Sequence, residues 1–292
     1  MEKVTSLTDG QVQFEYFPGE QLGKSADTVS IAANGIADIS VFAPVFTPSE
    51  MPIGATLPGL PGMFETSVQG ATAYYNIAQQ SPVLETEFLN NGVRPIAVTM
   101  TPSYELFTNG KKIKVPEDLK GFKQQVAGGI FTEIFNYLGA APVSIPTSDV
   151  YNAFSTGIVD GLHYSYVSVE AFGIDELTKY ATRGLNLSSG IYGLVINEDV
   201  YQSLPQNVQE IIMQVGEEMG RSLTEYMDTQ NTRVYKDWVE SGKISIHELS
   251  EDEKQQWQNF FDEFEKYILK KQDSEDFNKA LKMFKEEVKK LK

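Results

Sequence analysis

The sequence predicts an α/β protein of two similarly built lobes, and three observations carry that expectation. Two stretches, Asn34-Gly35-Ile36-Ala37-Asp38 and Thr156-Gly157-Ile158-Val159-Asp160, repeat the order Gly-Ile-x-Asp between a helix-like segment and an apolar run. Strand-like and helix-like runs alternate through the first part of the chain, the pattern of α/β lobes with mostly parallel sheets. Pro205 is the last proline and few glycines follow it, so the C-terminal third reads as helix.

The repeated device has a physical reason. Helix formers over 25–34 and 148–156 end at Gly35 and Gly157, and glycine takes the left-handed conformation that satisfies the last helical carbonyls. The isoleucine that follows is expected to fold back on the last turn. The aspartate then closes the turn before Ile39-Ser40-Val41-Phe42 in one copy and Leu162-His163-Tyr164 in the other.

Taken in order, Met1 to Gly10 looks like the last turns of a helix, Val12 to Phe17 like a strand, Ser25 to Asn34 like a helix and Ile39 to Phe42 like a strand. The stretch from Pro44 to Gly62 holds Pro44, Pro48, Pro52, Pro58 and Pro61, which forbid a regular element, and its apolar Phe46, Met51, Ile53 and Leu57 indicate an ordered loop. Helix-like sequence spans Thr66 to Leu89 with a break near Ser81-Pro82, and Val93 to Thr99 reads as a strand.

Ser203-Leu204-Pro205-Gln206 fits a capping box, and apolar residues then recur at helical spacing from Val208 through Met227 to Trp238. A helix from Gln206 to about Ser241, stopped by Gly242, would be roughly 50 Å long and would touch both lobes; a helix broken near Thr229 to Thr232 is the alternative. A short strand at Lys243–Ile246 follows. Ser250-Glu251-Asp252-Glu253 is a second capping box opening a helix through Lys270, and a last helix runs from Ser274 to Leu291.

At 292 residues the chain can bury a large core and form two domains. A formal charge of −16 argues against nucleic acid and against an anionic membrane surface as partners. No apolar run approaches the length of a membrane span, which argues against direct membrane insertion. With no cysteine, thiolate catalysis and cysteine-ligated metals are excluded. His163 and His247 are the only histidines and share no metal-ligand spacing, and the common nucleophile and nucleotide motifs are absent. No cofactor, metal or enzymatic activity is expected. Tyr104, Phe107, Tyr151, Tyr164, Tyr166 and Tyr192 fall near element ends, where they would line a cleft suited to a small molecule.

An ordered set of segments resembles the extracytoplasmic solute-binding proteins of TRAP transporters, the DctP type. They are Thr8 to Val12, Tyr16-Phe17-Pro18-Gly19-Glu20-Gln21-Leu22-Gly23, Gly35 to Ile39, Pro116-Glu117-Asp118-Leu119-Lys120-Gly121-Phe122-Lys123, Leu138 to Val143, Ser148 to Phe154, and Thr156 to Gly161. The resemblance covers most of the chain as far as Pro205. It implies a two-lobed periplasmic-binding-protein-like fold (type II), with hinge strands and the long helix joining lobe I (1–101 and 189–229) to lobe II (102–188 and 230–292). It also implies capture of a small organic solute and its delivery to the membrane permease subunits of an ion-gradient-driven transporter. The location would be periplasmic, or extracellular and membrane-tethered. The binding protein of an ATP-driven importer, a sensor's ligand domain, and an α/β enzyme with an interlobe cleft are the alternatives.

Two departures follow from the same resemblance. Such proteins begin with an export signal, a strand and a helix, whereas this chain starts as though inside that helix, so lobe I is expected to lack its opening strand. The family also carries an arginine in the strand after Pro-Glu-Asp-Leu-Lys-Gly, where it forks onto a ligand carboxylate, and here Gln125 stands at that position. Glutamine offers two donors and no charge. Lys123, two residues earlier on the same strand face, keeps an acid ligand in play. By the same alignment Phe46, Tyr104, Gln125, Thr147 and Tyr164 face the cleft, with His163 beside them. Three aromatic walls around an uncharged Gln125 suggest an apolar or aromatic solute, neutral or acidic, rather than a short dicarboxylate.

Overall fold

The structure is a computed structural model describing residues 1–291; Lys292, assigned to lobe II above, lies outside the described residues. In chain order the elements are α1 (Glu2–Leu7), α2 (Thr28–Ala33), β1 (Ile39–Phe42), α3 (Ser67–Ala78), β2 (Val93–Met100), β3 (Glu105–Thr108), β4 (Lys123–Val126), α4 (Gly129–Tyr137), β5 (Ala141–Ser144), α5 (Val150–Ser155), β6 (Gly161–Tyr164), α6 (Tyr166–Ala171), β7 (Tyr180–Arg183), β8 (Ile191–Asn197), α7 (Glu198–Ser203), α8 (Gln206–Ser241), β9 (Ser245–Glu248), α9 (Glu251–Gln272) and α10 (Glu275–Lys290).

The strands form two sheets, ordered β1-β8-β2 and β5-β4-β6-β3-β7-β9. Mostly parallel sheets were expected, and the first sheet departs from that: β8 is antiparallel to both β1 and β2. The path of the chain explains it. β2 leads out of the first lobe, and β8 returns between β1 and β2 pointing the other way. In the second sheet β4 runs parallel to β5 and β6, and β7 to β9, while β3 is antiparallel to both of its neighbours.

Both glycine turns form as the repeat predicts, with φ of +68° at Gly35 and +72° at Gly157. The backbone, not the isoleucine side chain, makes the return contact. Ile36 N–H donates to Ile31 O and Ile158 N–H to Ala153 O, each at 3.0 Å, while the Ile36 and Ile158 side chains are exposed. Val12 to Phe17 forms no strand. Val12 and Phe14 rest on the apolar cluster of Val4, Ile96, Ile196, Val208 and Ile212, but no sheet edge meets their backbone. Alternation alone therefore misled.

The long helix α8 is unbroken over 36 residues, about 54 Å at 1.5 Å per residue. Its first half lies on the first sheet so closely that a Cβ on Gly216 would come 2.0 Å from Ile96 O and one on Gly220 would come 2.2 Å from Val98 O. Thr224 and Thr99 hydroxyls meet at 2.9 Å just beyond. Its second half packs Val234 and Trp238 into the core of the second lobe with Phe107 and Tyr166. The Ser203 capping box does not form: the Ser203 hydroxyl donates to Val200 O within α7, and Pro205 itself is the cap residue of α8. The Ser250–Glu253 box at the start of α9 does form.

The C-terminal helices divide their contacts. In α10, Val288 O accepts from Gln69 Nε2 at 2.9 Å and Phe284 meets Phe64 edge-on, fixing the helix on α3. In α9, Trp257 Nε1 donates to Lys114 O at 2.8 Å, and Phe260 and Phe264 pack on Tyr137 of α4. The proline-rich passage is pinned from beneath by Glu87, whose carboxylate accepts from the N–H groups of Ile53 and Gly54. Burial pushes the Glu87 carboxyl up to about 7, against those two N–H groups and the Tyr74 hydroxyl, which favour its charged form.

Candidate functional site

The parallel strands β4, β5 and β6 all end at the same edge of their sheet, where the turn into α4 lies. Ligands of open α/β sheets gather at that edge. Here it faces the first lobe: a Cβ on Gly129 would sit 3.6 Å from Val45 Cγ2, and one on Gly59 would meet Ile130 at 2.6 Å and Phe131 at 3.5 Å. The lobes are therefore in direct contact, with the proline-rich passage lying across the start of α4.

The structure brings five of the six sequence-predicted residues together. Tyr104, in the crossing between β2 and β3, lies 5.5 Å from the His163 ring and 6.0 Å from Tyr164, centroid to centroid. Tyr164 ends β6, and its hydroxyl approaches Thr147 and Gln125 without completing a bond to Gln125 Oε1. Burial raises the Tyr164 phenol, which these two neighbours oppose. Tyr104 is buried and its phenol is likewise pushed up by desolvation, so both rings present neutral O–H groups. Thr147 is exposed at the first turn before α5. Phe46 stands apart: it is 40% exposed on the facing loop of the first lobe and makes no ring contact with the other five.

Gln125 is fully buried in the middle of β4. Its Nε2 donates to Ile145 O at 3.0 Å. Lys123 does not share its surroundings. That ammonium donates to Gly157 O at 2.8 Å and pairs with Asp160 at 3.6 Å, so it is engaged at the turn before β6 and not beside the Gln125 amide. The fixed φ of Gly157 and the outward start of β4 draw it there.

His163 is the residue most changed by the structure. Its ring is enclosed by Phe131 at 4.9 Å and Phe135 at 5.0 Å from α4, with Tyr164 at 6.1 Å. The Nδ1 nitrogen lies 3.1 Å from Gln125 O. Burial lowers its pKa to about 4, the bond to Gln125 opposing, so the imidazole is neutral. Phe131 and Phe135 escaped sequence reasoning because an apolar helix face signals core, and only the helix's place over β6 makes it a wall. Of the other aromatics proposed for the cleft, Phe107 and Tyr166 are fully buried core, Tyr151 is exposed, and Tyr192 donates to Met227 on α8 at 2.9 Å.

A two-lobed α/β frame joined by crossing strands and one long helix, with an aromatic-walled site where the lobes meet, is the plan of a solute-binding protein. The chain belongs to the DctP family, bacterial extracellular solute-binding protein family 7, which it matches over residues 1–272. A solute-binding protein of Sulfitobacter sp. (strain NAS-14.1) is 27% identical over 259 residues, covering 87% of this chain and 76% of that protein. Among solved structures, a TRAP periplasmic solute-binding protein from Bordetella bronchiseptica with bound mandelate superposes with a TM-score of 0.85 at 23% identity, covering 100% of this chain and 92% of the other. A marine metagenome TRAP solute-binding protein specific for aromatic acids, in complex with 3-hydroxybenzoate, gives 0.86 at 24% identity, covering 99% and 91%. The fold is thus that of the TRAP binding proteins, whose role is extracytoplasmic capture of small organic solutes. Among the described residues no helix is long and apolar enough to cross a membrane, and no group of acidic or histidine side chains is arranged to hold a metal.

Proposed function

We propose that this chain captures an aromatic organic solute between its lobes and presents it, outside the cytoplasm, to the membrane subunits of a TRAP-type permease. It would act in the periplasm, or extracellularly and tethered to the membrane, by binding and without turnover. The observation that carries the aromatic assignment is the ring wall of Tyr104, Phe131, His163 and Tyr164, set beside an uncharged Gln125. Apolar walls with few polar groups favour a flat apolar body over a small, strongly hydrated dianion. Phe46, Tyr104, Gln125, Thr147, His163 and Tyr164 are the proposed contacts, Phe46 closing the site from the first lobe. The solutes named for the two structural neighbours, mandelate and 3-hydroxybenzoate, point the same way.

The lobes are proposed to divide at 101/102, 188/189 and about 229/230, in keeping with the membership of the two sheets. Because α10 is fixed on α3, it would move with the first lobe.

Calorimetric titration against benzoate, benzyl alcohol and succinate tests the assignment. Binding of at least one aromatic, tighter than succinate by tenfold or more, is expected. Tight succinate binding with no aromatic bound would overturn it.

A further inference from the structure

Three buried side-chain atoms of β4 and β6, Gln124 Oε1, Gln125 Oε1 and His163 Nε2, are left without a partner and share one sense. Gln125 Nε2 is committed to Ile145 O, and Gln124 Nε2 donates to Gln125 O at 3.2 Å. A carbonyl oxygen can only accept, so both amides are fixed with their oxygens outward from those bonds. His163 Nδ1 faces the same Gln125 O and must therefore carry the proton. In the neutral ring this makes Nε2 a bare lone pair. Gln124 Oε1 and His163 Nε2 are both buried, with no hydrogen-bond partner in the protein. Gln124 is fully buried and His163 is 3% exposed.

These two acceptors belong to one place. A single oxygen, that of Gln125, receives both donors. Gln124 lies opposite Gly161 in the β4–β6 pairing, and His163, two residues on, faces the same side of the sheet. That side lies beneath α4, whose Phe131 touches both the His163 ring and the first lobe near Gly59. Of the neighbouring phenols, Tyr104 turns to Thr101 and Tyr164 toward Thr147 and Gln125. A buried acceptor without a donor is disfavoured, so such a pair selects for whatever brings one.

Building on the aromatic-solute reading above, we infer that the solute carries a neutral O–H or N–H donor on its ring or beside it, which His163 Nε2 and Gln124 Oε1 receive. Where an arginine would offer donors to an anion, this pair offers acceptors. The discrimination is the strong kind, because an analogue lacking the donor leaves two desolvated acceptors unmatched.

The test compares 3-hydroxybenzoate with benzoate by calorimetry on the full chain. The unaltered protein should favour the hydroxylated probe by at least tenfold. His163→Phe, which keeps an aromatic wall, and Gln124→Met should each bring the ratio of 3-hydroxybenzoate to benzoate affinity down to about one, whatever the change in absolute affinity. In the unaltered protein the ¹⁵N resonance of His163 Nε2 should shift upfield with 3-hydroxybenzoate and not with benzoate, a readout independent of variant folding. Equal affinities with no differential Nε2 shift, as a buried water on the pair would give, overturn the inference and leave the aromatic reading standing. Binding of neither probe, with succinate bound instead, overturns both.

Discussion

His163 carries two separable consequences of one burial. Its ordinary pKa of 6.5 falls to about 4 in the folded chain, so between those values the unfolded chain takes up the proton first. Its contribution to stability is fully present above pH 6.5 and is lost as pH falls toward 4, a swing of about 3 kcal/mol. Thermal unfolding at pH 7 and pH 4.5 should therefore show a larger loss for the unaltered protein than for His163→Phe; equal losses would contradict the assignment. Since the chain has two histidines, its imidazole NMR signals are also simple to assign, and those of His163 should not titrate above about pH 5. At this scale the sequence was only partly legible. Motif order singled out Gln125, Tyr104 and Tyr164, which the fold brings together, but nothing local shows that Ile145 turns the Gln125 amide or that Asp160 claims Lys123. Those are contacts between residues 20 and 37 positions apart.

The elements were read best where one local rule decides. Absence of proline and an apolar helical rhythm that loosens only after Met227 gave α8 its full span from Gln206 to Ser241, and the two glycine turns followed from conformational freedom at Gly35 and Gly157. Reading failed where a neighbour decides. Val12 to Phe17 has strand-like alternation but no edge to join, and the direction of β8 depends on the chain having already left and re-entered the first lobe. The close seat of α8 on β2 yields a sharp expectation. Gly220→Ala sets a methyl against Val98 O, which is backbone and cannot yield cheaply. Overpacking of this kind costs about 1–3 kcal/mol, and denaturant unfolding should show the loss, whereas an alanine at exposed Glu225 on the same helix should cost less than about 0.5 kcal/mol.

For the molecule as a whole, the two lobes already touch through Ile130 and Phe131 against Gly59, and through Gly129 against Val45. Part of the free energy of closure is therefore protein against protein, and a solute has to supply only the remainder. Ile130→Ala should weaken closure by roughly 1 kcal/mol and lower the affinity for every solute by about the same fivefold factor. A change confined to one solute would place Ile130 in the site instead. Small-angle scattering should show the radius of gyration of this variant falling further on saturation with an aromatic solute than that of the unaltered protein. The same seam also governs time. A solute at the proposed site, beneath α4 and the proline-rich passage, would not leave by loosening its own contacts alone; it would depart when the lobes part. Dissociation rates of tightly held solutes should then converge on one value, the opening frequency of the protein, and residence time becomes a property of the seam rather than of the cargo.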